Sequence, residues 1–398
     1  MINSINTKSP FFYEGFMMFL CGFLVFSPIS SRISLEILKL PLALPELLFI
    51  PFYFFLKKKF DVTINMKIFI KGCYLIIFLL AISFLVDNFR VPSILSTVRG
   101  YFYMLLVFSM FINKKVTNIY YILFISLGSV VGWLFFSITS LSMLINSISN
   151  KPSAVYGNMI TLSLVMSIPI MFKKKKYIII AFVSGLLLSL STGTRRQIII
   201  YLISFVLSLL MTIKLSIKSA IKVLFSIIAF NYLLMFFLPL ANQQLYNISP
   251  ILHKRIFVKT EQLIIGQENV SDNIRKNAFS EFVESYEKYI IPRGFVSKRT
   301  MADPSTGKYM DSPFYEIFYT FGLFGGLFIL SLLFGRLYFH LKNYYFRKVN
   351  ESGVCVVSIV TIFVLIMVEG SFLNWSYITP CTGFVLARVF SSNNLITL

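Results

Sequence analysis

Charged residues are scarce in this sequence. Only 13% of its 398 residues are charged, whereas a soluble domain usually carries about 25%. Apolar runs of about 20 residues recur along the chain, and a helix of that length crosses a bilayer. A soluble protein would need polar faces to cover so many apolar helices. We therefore expect an all-α, polytopic membrane protein.

Acidic residues are especially few: there are 16 Asp and Glu against 37 Lys and Arg, giving a net charge of +21. In a soluble protein this excess would suggest nucleic-acid binding. Here most basic residues lie in short clusters between the apolar runs, which is the positive-inside pattern of cytoplasmic loops. We therefore expect membrane lipids, and no nucleic acid, among the partners.

Cysteine and histidine are too few and too scattered for a metal site. The four cysteines and two histidines form no CxxC pair and no spacing typical of zinc. The sequence also has no P-loop, zincin motif, dinucleotide fingerprint or Ser/His/Asp arrangement. We expect no metal and no cofactor. No internal repeat is evident, which argues against transporters built from duplicated halves.

About twelve apolar segments are long enough to be membrane spans. The first lacks the cleavage site of a signal peptide. The second contains three prolines, which predict a kinked or partly interfacial helix. The predicted spans are 11–28, 36–56, 68–86, 92–112, 119–145, 155–172, 177–192, 197–213, 223–240, 314–335, 354–370 and 372–390.

Basic clusters set the predicted orientation. They lie between alternate spans, so they all fall on one side if every span crosses once. That side is then cytoplasmic, and so are both termini, in the inner (plasma) membrane of a bacterium. The clusters are Lys57–Lys59 with Lys67 and Lys71, Lys114–Lys115, Lys173–Lys176, Lys214 with Lys218 and Lys222, and Arg336 with Lys342, Arg347 and Lys348.

One segment on the opposite side is unusually long. Residues 241–313 form a periplasmic loop between helices 1–9 (residues 1–240) and helices 10–12 (residues 314–398). Loops longer than about 15 residues are uncommon without a function. Part of this loop is predicted to be an amphipathic helix lying over the membrane-embedded bundle. Its apolar residues recur at helical spacing: Phe279, Phe282, Val283 and Tyr286.

Arg195 and Arg196 form the one basic doublet that this orientation places on the outer side, apart from the long loop. They follow the polar turn 191–194 at the start of a span. Guanidinium groups match phosphate oxygens, and N–H groups at a helix N-terminus also favour an anion. The alternative is a pair that snorkels to lipid headgroups. Their outer position, against the charge rule, favours binding of a substrate diphosphate.

Arg99 and Arg275 are further candidates for binding the diphosphate. Arg99 lies inside the fourth span, where an ionisable residue indicates function by default. The alternative is that residues 92–99 are interfacial and the span begins at Gly100. Arg275 lies in the long loop, just before the predicted amphipathic helix; a charged loop residue is more often simply solvated.

Asp311 and Glu316 are the candidate catalytic carboxylates. Asp311-Ser312-Pro313 is typical of a helix N-cap followed by proline at the first helical position. That role does not exclude chemistry, because a carboxylate beside an arginine-rich pocket can orient or deprotonate a sugar hydroxyl. Glu316 lies one turn into the same helix.

Several features, in this order, resemble the O-antigen polymerase (Wzy) and O-antigen ligase superfamily. Ser153–Asn158 (SAVYGN) is similar to the Gly-Asn segment before a middle span, and Ser191–Arg196 (STGTRR) to the small-polar-arginine turn. Arg275 falls in a large outer loop, where the family pattern has an arginine. Asp311–Glu316 (DSPFYE) and Phe321–Gly325 (FGLFG) look like the polar-aromatic start of a span with a Gly-Leu-x-Gly core.

The resemblance implies a metal-independent glycosyltransferase whose substrates are oligosaccharide repeat units on undecaprenyl diphosphate. A hydroxyl of one unit would attack the anomeric carbon of the other chain, and the lipid diphosphate would leave. Arg195, Arg196 and Arg275 would bind the diphosphate and stabilise its developing charge. Asp311 would orient or activate the hydroxyl. A chain-length regulator and a flippase would be further partners.

Alternatives stay open at this point. Ligases of the superfamily tend to carry a histidine where this chain has Asp311, which favours a polymerase over a ligase. A transporter or flippase for lipid-linked sugars would show paired broken helices, internal symmetry and ionisable residues at mid-membrane. A scaffold or receptor would not need arginines at the outer rim.

Overall fold

The computed structural model is helical throughout the part of the chain that it describes. Of the described residues, 93% are helical and none lies in a strand. The all-α prediction is therefore confirmed for them. They are residues 12–25, 27, 44–60, 63–86, 91–112, 119–145, 159–172, 176–190, 195–212, 221, 225, 244, 246–247, 250, 253, 258, 280, 282–295, 313–368 and 379–391.

Helices occupy eleven of the twelve predicted spans; the span 223–240 lies, except for residue 225, outside the described residues. The second helix is described from Leu44 onwards, and the predicted part 36–43 lies outside the described residues. The ninth helix continues to Arg347, well beyond residue 335, where the corresponding predicted span ends. The helices are α1 (Phe12–Val25), α2 (Leu44–Phe60), α3 (Met66–Val86), α4 (Val91–Phe111), α5 (Ile119–Ile145), α6 (Met159–Phe172), α7 (Lys176–Leu190), α8 (Arg195–Thr212), the 3-10 helix η1 (Tyr286–Tyr289), α9 (Pro313–Arg347), α10 (Asn350–Val368) and α11 (Thr379–Phe390).

Three of the described helices are long and apolar enough to cross a membrane: α3, α9 and most of α10. Five shorter described helices, of 10–17 residues, are apolar as well. Only 11% of the apolar window of α3 is buried inside the protein, and its side chains Ile77 and Phe78 are exposed. Water would not support so much exposed apolar surface, whereas lipid does. The described helices thus agree with the prediction of a membrane protein, while the number of spans stays a prediction.

The chain divides into two compact units, the first of which holds residues 1–136, 293–297 and 371–398. Its most extensive helix pair is α4 with α11. Gly383 of α11 lies against the main-chain carbonyl of Met104, and the rings of Phe111 and Phe384 meet edge-on at 5.1 Å. A small residue at this crossing lets the two backbones approach closely, as is common between membrane helices.

A short piece of the long loop, residues 293–295, is anchored within this first unit near the C-terminal end of α3. The Phe295 N–H donates a hydrogen bond to Ser83 Oγ at 2.6 Å, and Gly294, with φ +80°, lies over the same turn of α3. Those exposed lysines of the unit that the structure describes lie at the opposite end of α3, at the junction of α2 and α3. They are Lys57, Lys58, Lys67 and Lys71.

The second unit holds residues 137–292 and 298–370 and is built around α10, which contacts α6, α8 and α9. Buried hydroxyl groups connect these helices. Ser204 of α8 shares a hydrogen bond of 3.0 Å with Thr361 of α10, and Ser208 Oγ donates to the main-chain carbonyl of Met166 in α6 at 2.7 Å. Such bonds hold membrane helices together where the hydrophobic effect between them is weak.

Candidate functional site

The two arginines of the predicted diphosphate site begin a helix. Arg195 and Arg196 are the first residues of α8, directly after the polar turn, as the sequence predicts. The main-chain N–H groups of a first helical turn have no partner within the helix and attract anions. The side chains of both arginines lie outside the described part of the chain, and so do Arg275 and Asp311 altogether. Their roles stay predictions.

Arg99 lies inside a continuous helix of the first unit. α4 is helical from Val91 onwards, and an interfacial segment can be helical too, so both interpretations of residues 92–99 stay open. The Arg99 side chain is partly exposed and is hydrogen-bonded to the hydroxyl of Tyr103, one turn further along α4. Arg99 therefore belongs to a helix of the first unit, whereas Glu316 belongs to a helix of the second.

Glu316 lies in the first turn of α9 and is fully buried. The start of a helix favours a carboxylate, because the helix dipole is positive there. Burial works against it, since an ionised group loses its hydration unless the protein supplies partners. A carboxylate kept at such a position inside a membrane protein indicates function more often than packing. Of the two predicted catalytic carboxylates, Asp311 and Glu316, only Glu316 lies in the part of the chain that the structure describes.

The predicted amphipathic helix of the long loop is only partly regular. Residues 282–284 are helical, Ser285 is a turn, and η1 follows. Phe282 contacts the start of α9, but Val283 and Tyr286 are more than half exposed. Of the described residues in the predicted apolar stripe, only Phe282 therefore contacts α9. The turn and the tighter 3-10 geometry change the direction in which successive side chains project.

Phe282 contacts one face of the first turns of α9. Its ring lies 5.9, 5.3 and 5.7 Å from the rings of Phe314, Tyr315 and Phe318. Since an α-helix turns by about 100° per residue, these three side chains share one face. Glu316 lies on the opposite face. The aromatic cluster therefore holds the helix from one side and leaves the carboxylate on the other.

Thr320 lies on the same face as Glu316, one turn further along α9. It is fully buried, and its Oγ1 has no hydrogen-bond partner in the part of the chain that the structure describes. Sequence reasoning missed this residue, although the spacing of four between two polar side chains in an apolar helix was a usable signal. Glu316 and Thr320 together present an acceptor and a hydroxyl that a sugar hydroxyl could use.

α9 is broken two residues after Thr320. Gly322 has φ +72° and ψ +172°, which divides α9 into a short half-helix, Pro313–Phe321, and a long one, Leu323–Arg347. At about 1.5 Å per residue these measure about 13 Å and about 37 Å. The long half alone therefore exceeds a hydrocarbon core of about 30 Å. The sequence predicted a continuous span here; the only hint of a break was the glycine-rich run that begins at Gly322.

Buried polar residues at the other end of α9 were also missed. His340 and Asn343 are buried, and the Asn343 carbonyl accepts a hydrogen bond from the N–H of Val349 at the turn into α10. In the first unit, Arg388 of α11 is buried as well. Arg388 lies within a predicted span, which was the available signal for it. His340 and Asn343 lie beyond the predicted end of their span at 335 and gave no such signal.

The comparisons with known proteins add no family. No protein-family model matches the chain, and no curated protein matches it. Within the described residues, no group of three or more His, Cys, Asp or Glu side chains could hold a metal ion.

Proposed function

We propose that this protein is a polysaccharide polymerase of the O-antigen (Wzy) kind. It joins undecaprenyl-diphosphate-linked oligosaccharide repeat units at the outer face of the bacterial inner membrane. The observation that carries the proposal is Glu316, a fully buried carboxylate on a short half-helix inside the segment that resembles the family. The aromatic cluster around Phe282 supports it, because it joins the long loop to the same half-helix.

The reaction needs one proton acceptor and a means of holding a diphosphate. The acceptor hydroxyl forms a bond to the anomeric carbon, and the bond from that carbon to the diphosphate oxygen breaks with its electron pair. The hydroxyl proton passes to a carboxylate, for which Glu316 is the candidate with a described environment and Asp311 the second candidate. Arginines balance the charge of the leaving diphosphate, so the step needs no metal.

The start of α8 supports the diphosphate assignment. Arg195 and Arg196 are its first two residues, and the main-chain N–H groups of a first helical turn have no partner within the helix and favour an anion. In the first unit, the loop contacts the C-terminal end of α3, and the described exposed lysines lie at its N-terminal end. In the second unit, the loop contacts the start of α9, and the described exposed basic residues lie at its C-terminal end. This distribution favours an outer location for the loop.

Glu316→Gln tests the carboxylate. The variant keeps the volume and removes the charge, so we expect folded protein at wild-type levels and a loss of polymer of at least about 100-fold, in line with general-base catalysis. Glu284→Gln is the matched control, because Glu284 is an exposed carboxylate of the neighbouring loop helix and should leave polymer unchanged. Wild-type polymer from Glu316→Gln would exclude Glu316 as the base.

The double variant Arg195→Ala, Arg196→Ala tests the diphosphate site. We expect normal protein levels and no polymer, because the guanidinium pair that stabilises the leaving diphosphate is gone. The control is Lys57→Ala, Lys58→Ala, which removes the same charge from an exposed pair at the end of α2. Wild-type-length polymer from the arginine variant would refute the assignment.

A transporter or flippase for lipid-linked oligosaccharides is the second candidate, and the break in α9 is the observation that favours it. A strain that lacks the protein distinguishes the candidates. A single repeat unit on the surface lipid indicates a lost polymerase. Intermediates stranded in the inner leaflet indicate a lost flippase, and long unattached polymer indicates a lost ligase.

A further inference from the structure

The backbone at Gly322 is possible only for glycine. Its φ of +72° combined with ψ of +172° lies in a region that residues with a Cβ essentially do not enter. Space is lacking as well: a Cβ at this position would lie 2.8 Å from the carbonyl oxygen of Ile290 and 2.9 Å from Cδ of Pro292. The break in α9 is therefore built into the sequence at one residue.

The loop supplies an acceptor for the N–H group that the break leaves without its helical partner. In an unbroken helix the N–H of Leu323 would donate to the carbonyl of Tyr319. Here it donates to the carbonyl oxygen of Ile290, at 3.3 Å. The segment Ile290–Pro292 directly follows η1, so the loop takes over a bond that would otherwise straighten α9. We call this bond, with the Pro292 ring beside it, the latch.

Two rings of the loop hold the short half-helix at a second place. Tyr289 is buried and lies 4.6 Å from the ring of Phe282 and 6.4 Å from the ring of Tyr319. The ring of Phe282 in turn contacts three aromatic residues of the half-helix. The half-helix is thus attached to the loop along its length and at its end, while Glu316 is buried on its opposite face.

We propose that Gly322 and the latch position Glu316: they set the direction of the half-helix and thereby place the carboxylate at the reacting hydroxyl. The inference rests on the proposed function of Glu316. Gly322 itself touches no substrate and acts through the orientation of Pro313–Phe321. The long loop, which is predicted to bind the donor diphosphate, is thereby connected mechanically to the carboxylate.

Gly322→Ala is the perturbation that separates positioning from stability. Alanine is the best helix former and cannot adopt the broken geometry, so the N–H of Leu323 should return to Tyr319 and α9 should become continuous. Gly335→Ala is the matched control. Gly335 lies in the same helix, has no positive φ, and has nothing within 4 Å of the position that a Cβ would take.

Three quantities are measured in nanodiscs: the distance between two spin labels, donor binding and turnover. Spin labels at positions 283 and 328, where Val283 and Phe328 are exposed, report the distance between the loop helix and the long half of α9. The donor probe is the lipid-linked oligosaccharide extracted from a strain that lacks the protein. For Gly322→Ala we expect a changed label distance, donor binding within about twofold of wild type, and turnover reduced by about 100-fold, the order that a displacement of about 1 Å can cause.

Several results would overturn the proposal. These are wild-type turnover in Gly322→Ala, a loss of turnover with an unchanged label distance, and an equal loss in Gly335→Ala. If Gly322→Ala does not fold, Pro292→Ala replaces it: without the ring, the label distance should shift in the same direction and turnover should fall by less. The distance measurement tests the latch even if Glu316→Gln retains activity, whereas that activity would exclude Glu316 as the base.

Discussion

Replacing Thr320 with valine should make the protein more stable and less active. The Thr320 hydroxyl is fully buried and has no hydrogen-bond partner among the described residues. Burying a hydroxyl in this way costs about 1–3 kcal/mol in proteins. Valine has nearly the same shape and a similar helix propensity, so the substitution should recover most of that free energy. We expect the free energy of unfolding to rise by about 1–3 kcal/mol.

The loss of activity follows from the position of Thr320 beside Glu316. A hydrogen bond from a side chain to a substrate hydroxyl contributes about 1.4 kcal/mol or less, so turnover should fall by up to about tenfold. Stability is measured by denaturant titration in mixed micelles, and turnover with the extracted lipid-linked oligosaccharide. Ser352→Ala is the comparison, because Ser352 is equally buried and unpartnered within the described residues but lies at the start of α10.

Two outcomes would refute this reasoning. If Thr320→Val is destabilised, the hydroxyl has a structural partner and does not face the site. If turnover is unchanged while stability rises, Thr320 is a buried hydroxyl without a catalytic part. For Ser352→Ala we expect unchanged turnover, whatever its effect on stability.

Further predictions concern the loop anchor and the orientation. Ser83→Ala should cost about 1–3 kcal/mol, measured by the same titration, because it leaves the buried Phe295 N–H without its acceptor. Ser331→Ala is the control, because Ser331 is exposed, and it should change the free energy of unfolding by less than about 0.5 kcal/mol. Equal losses of stability in the two variants would contradict the role of Ser83 as an anchor. In a Cys73→Ser background, a cysteine at the exposed Ile291 should react with an impermeant thiol reagent in spheroplasts, and one at Arg347 only after lysis. The reverse pattern would invert the orientation.

The helices were predictable because apolar length alone determines them in a membrane protein. α9 begins at Pro313, where the N-cap pattern places it, and α8 begins at Arg195, directly after its polar turn. The end of α9 was not predictable from hydropathy, because the helix continues through polar residues as far as Arg347.

The site was predictable by residue type but not by geometry. Glu316 was singled out from its motif, and its complete burial agrees with a functional residue. The break at Gly322 was missed, because a single glycine in an apolar run is compatible with a continuous helix at a cost of about 1 kcal/mol. What decides between the two conformations is the carbonyl of Ile290, more than 30 positions earlier in the chain, and no local pattern contains that contact.

Reconstitution tests the central claim most directly. The purified protein, in vesicles, receives lipid-linked oligosaccharides extracted from a strain that lacks it, with a metal chelator present, and the lipid-linked glycans are separated by length. The proposal predicts a ladder of products that grow by whole repeat units, and no ladder with Glu316→Gln. Glycans that keep their original length, or that only move from one leaflet to the other, would contradict it.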